Sequence, residues 1–506
     1  MQNTLIDIKT LGDLKKSGYQ VESVKSEIRR NLIEKLKTNH DVFPGIIGYD
    51  ETVIPEIYNA LLSKHDFILL GLRGQAKTRI LRGLANLLDP YIPVVKDSEL
   101  NDNPLQPISR KSKDLIEKHG DDTLIEWIPR AQRYSEKLAT PDVSIADLFG
   151  DIDPIKAATK KLDYAHESVI HYGIIPRTNR GIFVINELPD LQPRIQVGLL
   201  NIMEEKDLQI RGYPVRIPLD ILIAFSANPE DYTNRGNIIT PLKDRIDSQI
   251  ITHYPLTADI GIEITRQEAW QERDYFKGYD IPHYFREIIE NVSIEARESE
   301  LIDQKSGVSA RLSISCMENL IGNAERRALL NGTNSYQLRI SDLKALIPAI
   351  TGKIELVYEG EQEGVINVAK ILVGKAVKKV YDKYFPSPKA KSGKNQEAAN
   401  AYYEDIINWF NNNNLITVDG YGHDKAYIDS LKPAKAIEIM VKKYFPADQV
   451  KDEMKLAVAK EFVLEALHQH SFLSKFETEG RITYKDLVES IFNSLPDDDR
   501  DQDYFA

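Results

Sequence analysis

The segment from residue 67 to residue 88 constrains the fold more than any other part of the chain. Four consecutive apolar residues, 67–70, are typical of a buried parallel strand. The next eight residues, Gly71 to Thr78, have the sequence GLRGQAKT, and apolar residues then recur at helical spacing up to Leu88. A strand, a glycine-containing loop and a helix in this order predict a phosphate-binding loop, because glycines let backbone N–H groups turn towards phosphate oxygens.

The residue types in this loop suit the binding of a nucleotide together with Mg²⁺. Lys77 would reach the β- and γ-phosphates, and the Thr78 hydroxyl would ligate Mg²⁺. Ala76 departs from the usual pattern, in which glycine precedes the lysine, and alanine adopts unusual backbone angles less readily. A strand-to-helix turn that binds nothing is the alternative, but the Lys-Thr pair in this context favours phosphate binding. The candidate nucleotide-binding residues of the loop are Gly71, Gly74, Gln75, Ala76, Lys77 and Thr78.

Hydrolysis also needs an acidic residue at the end of another strand, and residues 182–187 supply a candidate. The apolar run 182–185 is followed by Asn186 and Glu187. Glu187 would polarise the attacking water as a general base, although a strand end that merely carries a glutamate is the alternative. Asn186 stands where an aspartate normally supports the Mg²⁺ shell, and its amide accepts hydrogen bonds without adding charge. Weaker Mg²⁺ binding or slower turnover is one expectation from this replacement.

Two later polar residues complete the candidate catalytic set. The apolar run 221–225 leads to Asn228, which could orient water between Glu187 and the γ-phosphate. Arg245 could stabilise transition-state charge on the nucleotide of a neighbouring subunit. Taken alone, each motif is more often a strand-end cap or a surface salt bridge. Their order after the loop and the acid favours the functional interpretation.

Apolar runs alternate with helical stretches up to about residue 255, which predicts an α/β domain with a parallel sheet between layers of helices. Residues 91–95 and 249–254 are weaker strand candidates. Beyond residue 256 the strand signal stops and charged helical patterns take over. We expect an N-terminal helical segment over 1–35, an α/β nucleotide-binding domain over 36–255, a helical region over 256–350 and a mainly helical C-terminal region over 351–506.

The composition limits which binding partners and which cellular compartment we expect for this protein. The formal net charge of −12 and the pI near 5.5 argue against a nucleic-acid partner, since a protein that binds nucleic-acid phosphates over a broad surface needs many lysines and arginines. Cys316 is the single cysteine, so no internal disulfide can form. No apolar run approaches the roughly 20 residues that span a bilayer. We therefore expect a cytoplasmic protein with no membrane partner.

Taken in order, these motifs resemble the AAA+ superfamily, on the branch that holds the MoxR-type ATPases and the magnesium-chelatase I subunit. Residues 71–78 look like the MoxR-type loop, in which an Ala-Lys-Thr ending is frequent. Residues 179–187 resemble the Walker B approach of the chelatase subunit, with Asn186 in place of the usual aspartate. Residues 193–204 are similar to the second helix of this branch. Residues 208–217 alternate around a glycine-containing turn and predict the β-hairpin insert of that helix.

The resemblance, which covers roughly residues 36–350, also implies roles for the remaining site residues. Asn228 matches the sensor-1 position and Arg245 the arginine finger. The resemblance implies that residues 256–350 form a helical lid, and Arg311, in the sequence GVSAR, looks like the sensor-2 residue that reaches the γ-phosphate from this lid. The resemblance implies ATP and Mg²⁺ at the subunit interfaces of a homo-oligomeric ring, commonly a hexamer. It further implies a partner protein with a von Willebrand factor A domain.

Three functional hypotheses follow from the sequence. The first is an ATP-hydrolysing ring motor that remodels a partner protein or assists metal insertion into it. The second, motivated by Asn186, is a nucleotide-binding scaffold or switch with weak hydrolysis. The third, a magnesium-chelatase ATPase subunit, rests on family analogy alone.

Overall fold

The computed structural model describes residues 6–153, 155, 167–210, 216–229, 236–273, 280–388, 394–478 and 480–487. The chain divides into two compact units, residues 1–254 and 255–506. Separate sets of buried apolar side chains form the cores of the two units. None of the helices in the described residues is both long and apolar enough to cross a bilayer.

The first unit contains a central sheet, three two-stranded sheets and surrounding helices. Its strands are β1 (Phe67–Leu70), β2 (Tyr91–Val95), β3 (Ile125–Pro129), β4 (Tyr134–Leu138), β5 (Gly150–Ile152), β6 (Ile170–Tyr172), β7 (Gly181–Asn186), β8 (Asp207–Gln209), β9 (Arg216–Pro218), β10 (Ile221–Ala227) and β11 (Ser248–Ile251). Its helices are α1 (Leu11–Lys16), α2 (Val24–Lys37), α3 (Val53–Leu62), α4 (Lys77–Gly83), α5 (Arg110–His119), α6 (Ile145–Leu148), α7 (Ile174–Arg177), α8 (Pro193–Glu204) and α9 (Thr240–Arg245).

The central sheet has five strands in the order β11-β1-β10-β7-β4, and every neighbouring pair is parallel. Successive side chains of each strand face opposite cores: Phe67 and Leu69 enter one, whereas Ile68 enters the other. Apolar side chains on both faces explain why the inner strands are near-continuous apolar runs. The predicted α/β class with a parallel sheet is confirmed.

The predicted strand at residues 91–95 is confirmed, but it lies outside the central sheet. Strand β2 pairs antiparallel with β3 in a separate two-stranded sheet. The fifth strand of the central sheet is β4, which the sequence did not reveal. It lies at the sheet edge, and its residues, Tyr134 to Leu138, are at most half-buried, so no apolar run marks it.

The second unit is mainly helical, as the sequence indicated, but it also contains a small antiparallel sheet. Strands β12 (Ile416–Asp419), β13 (Leu473–Thr478) and β14 (Arg481–Asp486) pair in the order β12-β14-β13. The helices are α10 (Ala258–Glu268), α11 (His283–Glu298), α12 (Arg311–Leu330), α13 (Ile347–Thr351), α14 (Tyr358–Glu363), α15 (Val365–Tyr384), α16 (Lys394–Asn411), α17 (Asp424–Leu431), α18 (Lys435–Tyr444) and α19 (Glu453–Gln469).

One core runs through the second unit from Ala269 to Tyr484, so residues on both sides of position 350 pack together. The predicted division into a lid and a C-terminal region stays a prediction. Residues 380–386 (VYDKYFP) and 440–446 (MVKKYFP) have similar sequences, and they end α15 and α18 in the same way. Phe385 and Phe445 follow these helices, and their rings stack with centroids 5.4 Å apart.

Candidate functional site

The loop between β1 and α4 has the backbone that a phosphate-binding loop needs. Gly74 (φ 76°) and Ala76 (φ 57°, ψ 10°) both adopt left-handed conformations, which turn the chain sharply before α4 begins at Lys77. Gly71 has no room for a side chain, because a Cβ there would clash with Thr252 and Gln75. Ala76 therefore has the backbone angles that glycine favours, although the sequence has alanine where glycine is usual.

Residues that follow β11 hold the loop in place. The Thr252 hydroxyl donates to Gln75 Oε1 at 2.6 Å, and the Tyr254 hydroxyl donates to the Arg73 carbonyl at 3.0 Å. The hydroxyl of Tyr49 lies 3.1 Å from the Gln75 carbonyl and 2.6 Å from that of His253, and burial raises the pKa of Tyr49 to about 12. The sequence did not identify these residues, since no local pattern links positions about 180 residues apart.

The side chain of Lys77 lies against the loop. The residue is 7% exposed, and its ammonium group donates to the Gly71 carbonyl and, at 3.0 Å, to the Leu72 carbonyl. Thr78 follows it on the first turn of α4 and is exposed. Loop amides, a lysine amine and a threonine hydroxyl thus converge where the helix begins, which suits a nucleotide phosphate with Mg²⁺.

Parallel pairing brings the other predicted site residues to the same sheet edge. Strand β10 lies between β1 and β7, and Ala227 is in register with Leu70 of β1. Because parallel strands end at one edge of a sheet, Asn228 lies after β10 between the loop after β1 and Glu187 after β7. Asn228 and Glu187 are both half-buried.

A short hydrogen-bond chain fixes the end of β7. The Ser226 hydroxyl donates to Asn186 Oδ1 at 3.0 Å, and the Glu187 backbone N–H donates to Ser226 Oγ at 3.4 Å. Asn186 is 8% exposed, and Glu187 adopts a left-handed conformation (φ 54°). Ser226 was not predicted as a site residue, although a polar residue inside an apolar strand was a signal for it.

The two predicted arginines are positioned differently. Arg245 ends α9, and its polar partners among the described residues are Glu204 of α8, at 2.8 Å from Nε, and the Pro241 carbonyl. Its role towards a neighbouring subunit stays a prediction. Arg311 begins α12 in the second unit and is exposed. Its predicted contact with the γ-phosphate also stays a prediction.

The predicted hairpin insert corresponds to a two-stranded antiparallel pair, β8 with β9, in which Leu208 is opposite Ile217. The turn of this hairpin, residues 211–215, lies outside the described residues. No group of three or more His, Cys, Asp or Glu side chains in the described part of the chain could hold a metal ion. The predicted roles of Thr78 and Asn186 in supporting Mg²⁺ stay predictions.

Two magnesium-chelatase subunits are similar in sequence to part of this chain. The chain is 25% identical over 238 residues to the magnesium-chelatase 38 kDa subunit of Cereibacter sphaeroides, which covers 45% of this chain and 64% of that protein. It is 26% identical over 221 residues to magnesium-chelatase subunit ChlI of Euglena gracilis, which covers 41% and 58%. The chain thus spans less than two thirds of either curated relative. No family model matches the chain.

Solved structures also match parts of this chain. One is a chain from the complex between subunits BchI and BchD of magnesium chelatase, which is 19% identical and has a TM-score of 0.33. The match covers 63% of this chain and 98% of that chain.

Proposed function

We propose that this chain, which belongs to the AAA+ ATPases on the branch of the magnesium-chelatase I subunit and the MoxR proteins, hydrolyses ATP as a ring-forming motor. The observation that carries the proposal is the shared sheet edge: the phosphate-binding loop, Asn228 and Glu187 follow three adjacent parallel strands. Its substrate would be ATP with Mg²⁺, which supplies positive charge beside the transferring phosphoryl group.

In the proposed reaction the loop amides and Lys77 bind the phosphates. Lys77 would exchange its two carbonyl acceptors for phosphate oxygens, which requires only rotation of its side chain. The Thr78 hydroxyl would hold Mg²⁺, and Glu187 would accept a proton from the attacking water. Asn228 would orient that water, since it lies on the strand between the loop and Glu187.

The Glu187→Gln substitution tests this assignment, because glutamine keeps the size of the side chain but cannot accept the proton. We expect ATP hydrolysis to fall by about 10²–10⁴-fold while ATP binding is kept. Glu117→Gln, on the exposed face of α5, is the matched control and should hydrolyse ATP at the wild-type rate. Unchanged turnover in Glu187→Gln would refute the role of Glu187.

The amide at position 186 supports a second candidate function, a nucleotide-binding scaffold or switch with weak hydrolysis. Asn186 already accepts a hydrogen bond from Ser226, and an aspartate there could accept the same bond. Asn186→Asp therefore adds a negative charge near the expected Mg²⁺ with little other change. A turnover increase of about tenfold or more would favour the scaffold hypothesis for the natural chain, whereas no gain would count against it.

The remaining parts of the proposal concern assembly and client. A homo-oligomeric ring, commonly a hexamer in this branch, would let Arg245 act on the nucleotide of a neighbouring subunit. Light scattering with and without a non-hydrolysable ATP analogue tests this, and a monomer under both conditions would contradict it. Because the two curated relatives are magnesium-chelatase subunits, magnesium insertion is the first reaction to test. Remodelling of a partner protein with a von Willebrand factor A domain is the second.

A further inference from the structure

A second cavity in the first unit lies at the sheet edge opposite the phosphate-binding loop. Two of its residues, Arg180 and Asp220, immediately precede β7 and β10, whereas the loop follows the other end of the parallel neighbour β1. Its volume is about 350 Å³, which lies within the range of small-molecule sites. Its charged lining residues are Glu22, Glu27, Arg30, Asp89, Arg133, Arg180 and Asp220.

Two of the three arginines in this cavity already have carboxylate partners. Arg133 donates to both oxygens of Glu27, at 2.7 and 2.6 Å, and both residues are buried. Arg30 contacts Glu22 at 3.0 Å and Asp89 at 2.8 Å. These pairs neutralise most of the charge that lines the cavity.

Arg180 is the exception. It is 8% exposed and forms no ion pair within the described part of the chain. Its Nη1 donates to the carbonyls of Pro93, at 2.7 Å, and Asn101, at 3.3 Å. Its Nε and Nη2 have no acceptor among the described residues, neither atom is fully enclosed by protein, and the residue lines the cavity. These two parallel N–H groups form the edge that binds a carboxylate or phosphate with two hydrogen bonds.

The backbone holds this guanidinium in an unusual way. Arg180 is left-handed (φ 59°), and its N–H donates to the Asp220 carbonyl at 2.7 Å. The next residue is Gly181, and this position requires glycine because a Cβ there would clash with the Arg133 carbonyl. A left-handed arginine costs about 1 kcal/mol or more, and such strain is concentrated at functional sites.

We propose that this cavity binds a small organic monocarboxylate, whose two oxygens accept from Nε and Nη2 of Arg180. A single negative charge suits the site better than a dianion such as phosphate, because each further charge on the ligand adds repulsion from the Asp220 carboxylate in the same cavity. Burial lowers the pKa of Arg180 and raises that of Asp220, so both groups lack full charge compensation. An anion beside Arg180 would compensate the charge of the arginine.

The test uses the full chain in a Lys77→Ala background, so that carboxylates cannot act through the phosphate-binding loop. Sodium propionate is titrated against sodium chloride and sodium phosphate at equal ionic strength. We expect propionate to raise Tm in a saturable way by about 2–4 °C. Arg180→Lys, which keeps the charge but lacks the two-pronged edge, should abolish the rise. Arg177→Lys, an exposed arginine three residues earlier, is the matched control and should keep it.

Three results would overturn the proposal: an equal rise with chloride, a rise that persists in Arg180→Lys, or a rise with phosphate alone. Circular dichroism checks that Arg180→Lys folds. If it does not fold, hydrogen exchange on the chain with native Arg180 decides. Propionate must then slow amide exchange in residues 17–24 and 89–93, and unchanged exchange in both segments would refute the site.

Discussion

Replacing Ala76 with glycine should stabilise this protein, against the usual effect of such a change. Ala76 is left-handed (φ 57°, ψ 10°), a conformation that costs an alanine about 1–2 kcal/mol relative to glycine. Glycine loses about 0.5–1 kcal/mol through its greater freedom in the unfolded chain. The difference predicts that Ala76→Gly raises the free energy of unfolding by about 0.5–1 kcal/mol.

The measurement is the Tm of the unfolding transition of the full chain by calorimetry. A gain of this size corresponds to a Tm increase of about 1–4 °C for a unit of 150–250 residues. Ala85→Gly is the matched control, since Ala85 lies in the 3₁₀ turn Leu84–Leu87 with ordinary right-handed angles. That variant should lose about 0.5–1 kcal/mol. Equal losses in both variants would refute the conclusion that the loop strains Ala76.

Three further perturbations have defined outcomes. Glu27→Gln should destabilise the chain by about 3–5 kcal/mol, because it leaves Arg133 buried without its carboxylate, and denaturant titration measures the loss. Burial raises the pKa of Glu290 from 4.5 to about 7, against a hydrogen bond from Ser313, so its contribution to stability is present below pH 4.5 and is lost as pH rises through 7. Glu290→Gln should remove this part of the Tm–pH profile, and an unchanged profile would contradict it. Thr252→Val should weaken ATP binding by about tenfold, because the Gln75 side chain loses its donor, and isothermal titration measures it.

The sequence predicted those features that depend on local pattern. The loop from Gly71 to Thr78 and the strands that end at Asn186 and Ala227 carry their own signal, because inner parallel strands are apolar on both faces. The order of motifs along the chain then linked them to one site.

Other features depend on contacts between distant segments and left no such signal. Edge strand β4 has neighbours on one side only, so its residues are not selected for burial. The Arg133–Glu27 pair joins residues 106 positions apart, and Arg180 meets Pro93 across 87 positions. Spacing within the sequence cannot reveal such pairs, although the left-handed Ala76 could be inferred from the glycine usual at its position.

The most direct test of the central claim is steady-state ATP hydrolysis by the full chain with Mg²⁺, measured beside Lys77→Ala. We propose that Lys77 binds the phosphates through its charged side chain, so its removal should abolish turnover and weaken ATP binding. We expect measurable hydrolysis by the natural chain and none by the variant. Equal turnover by both proteins, or no ATP binding by the natural chain, would contradict the assignment of an ATPase site to this loop.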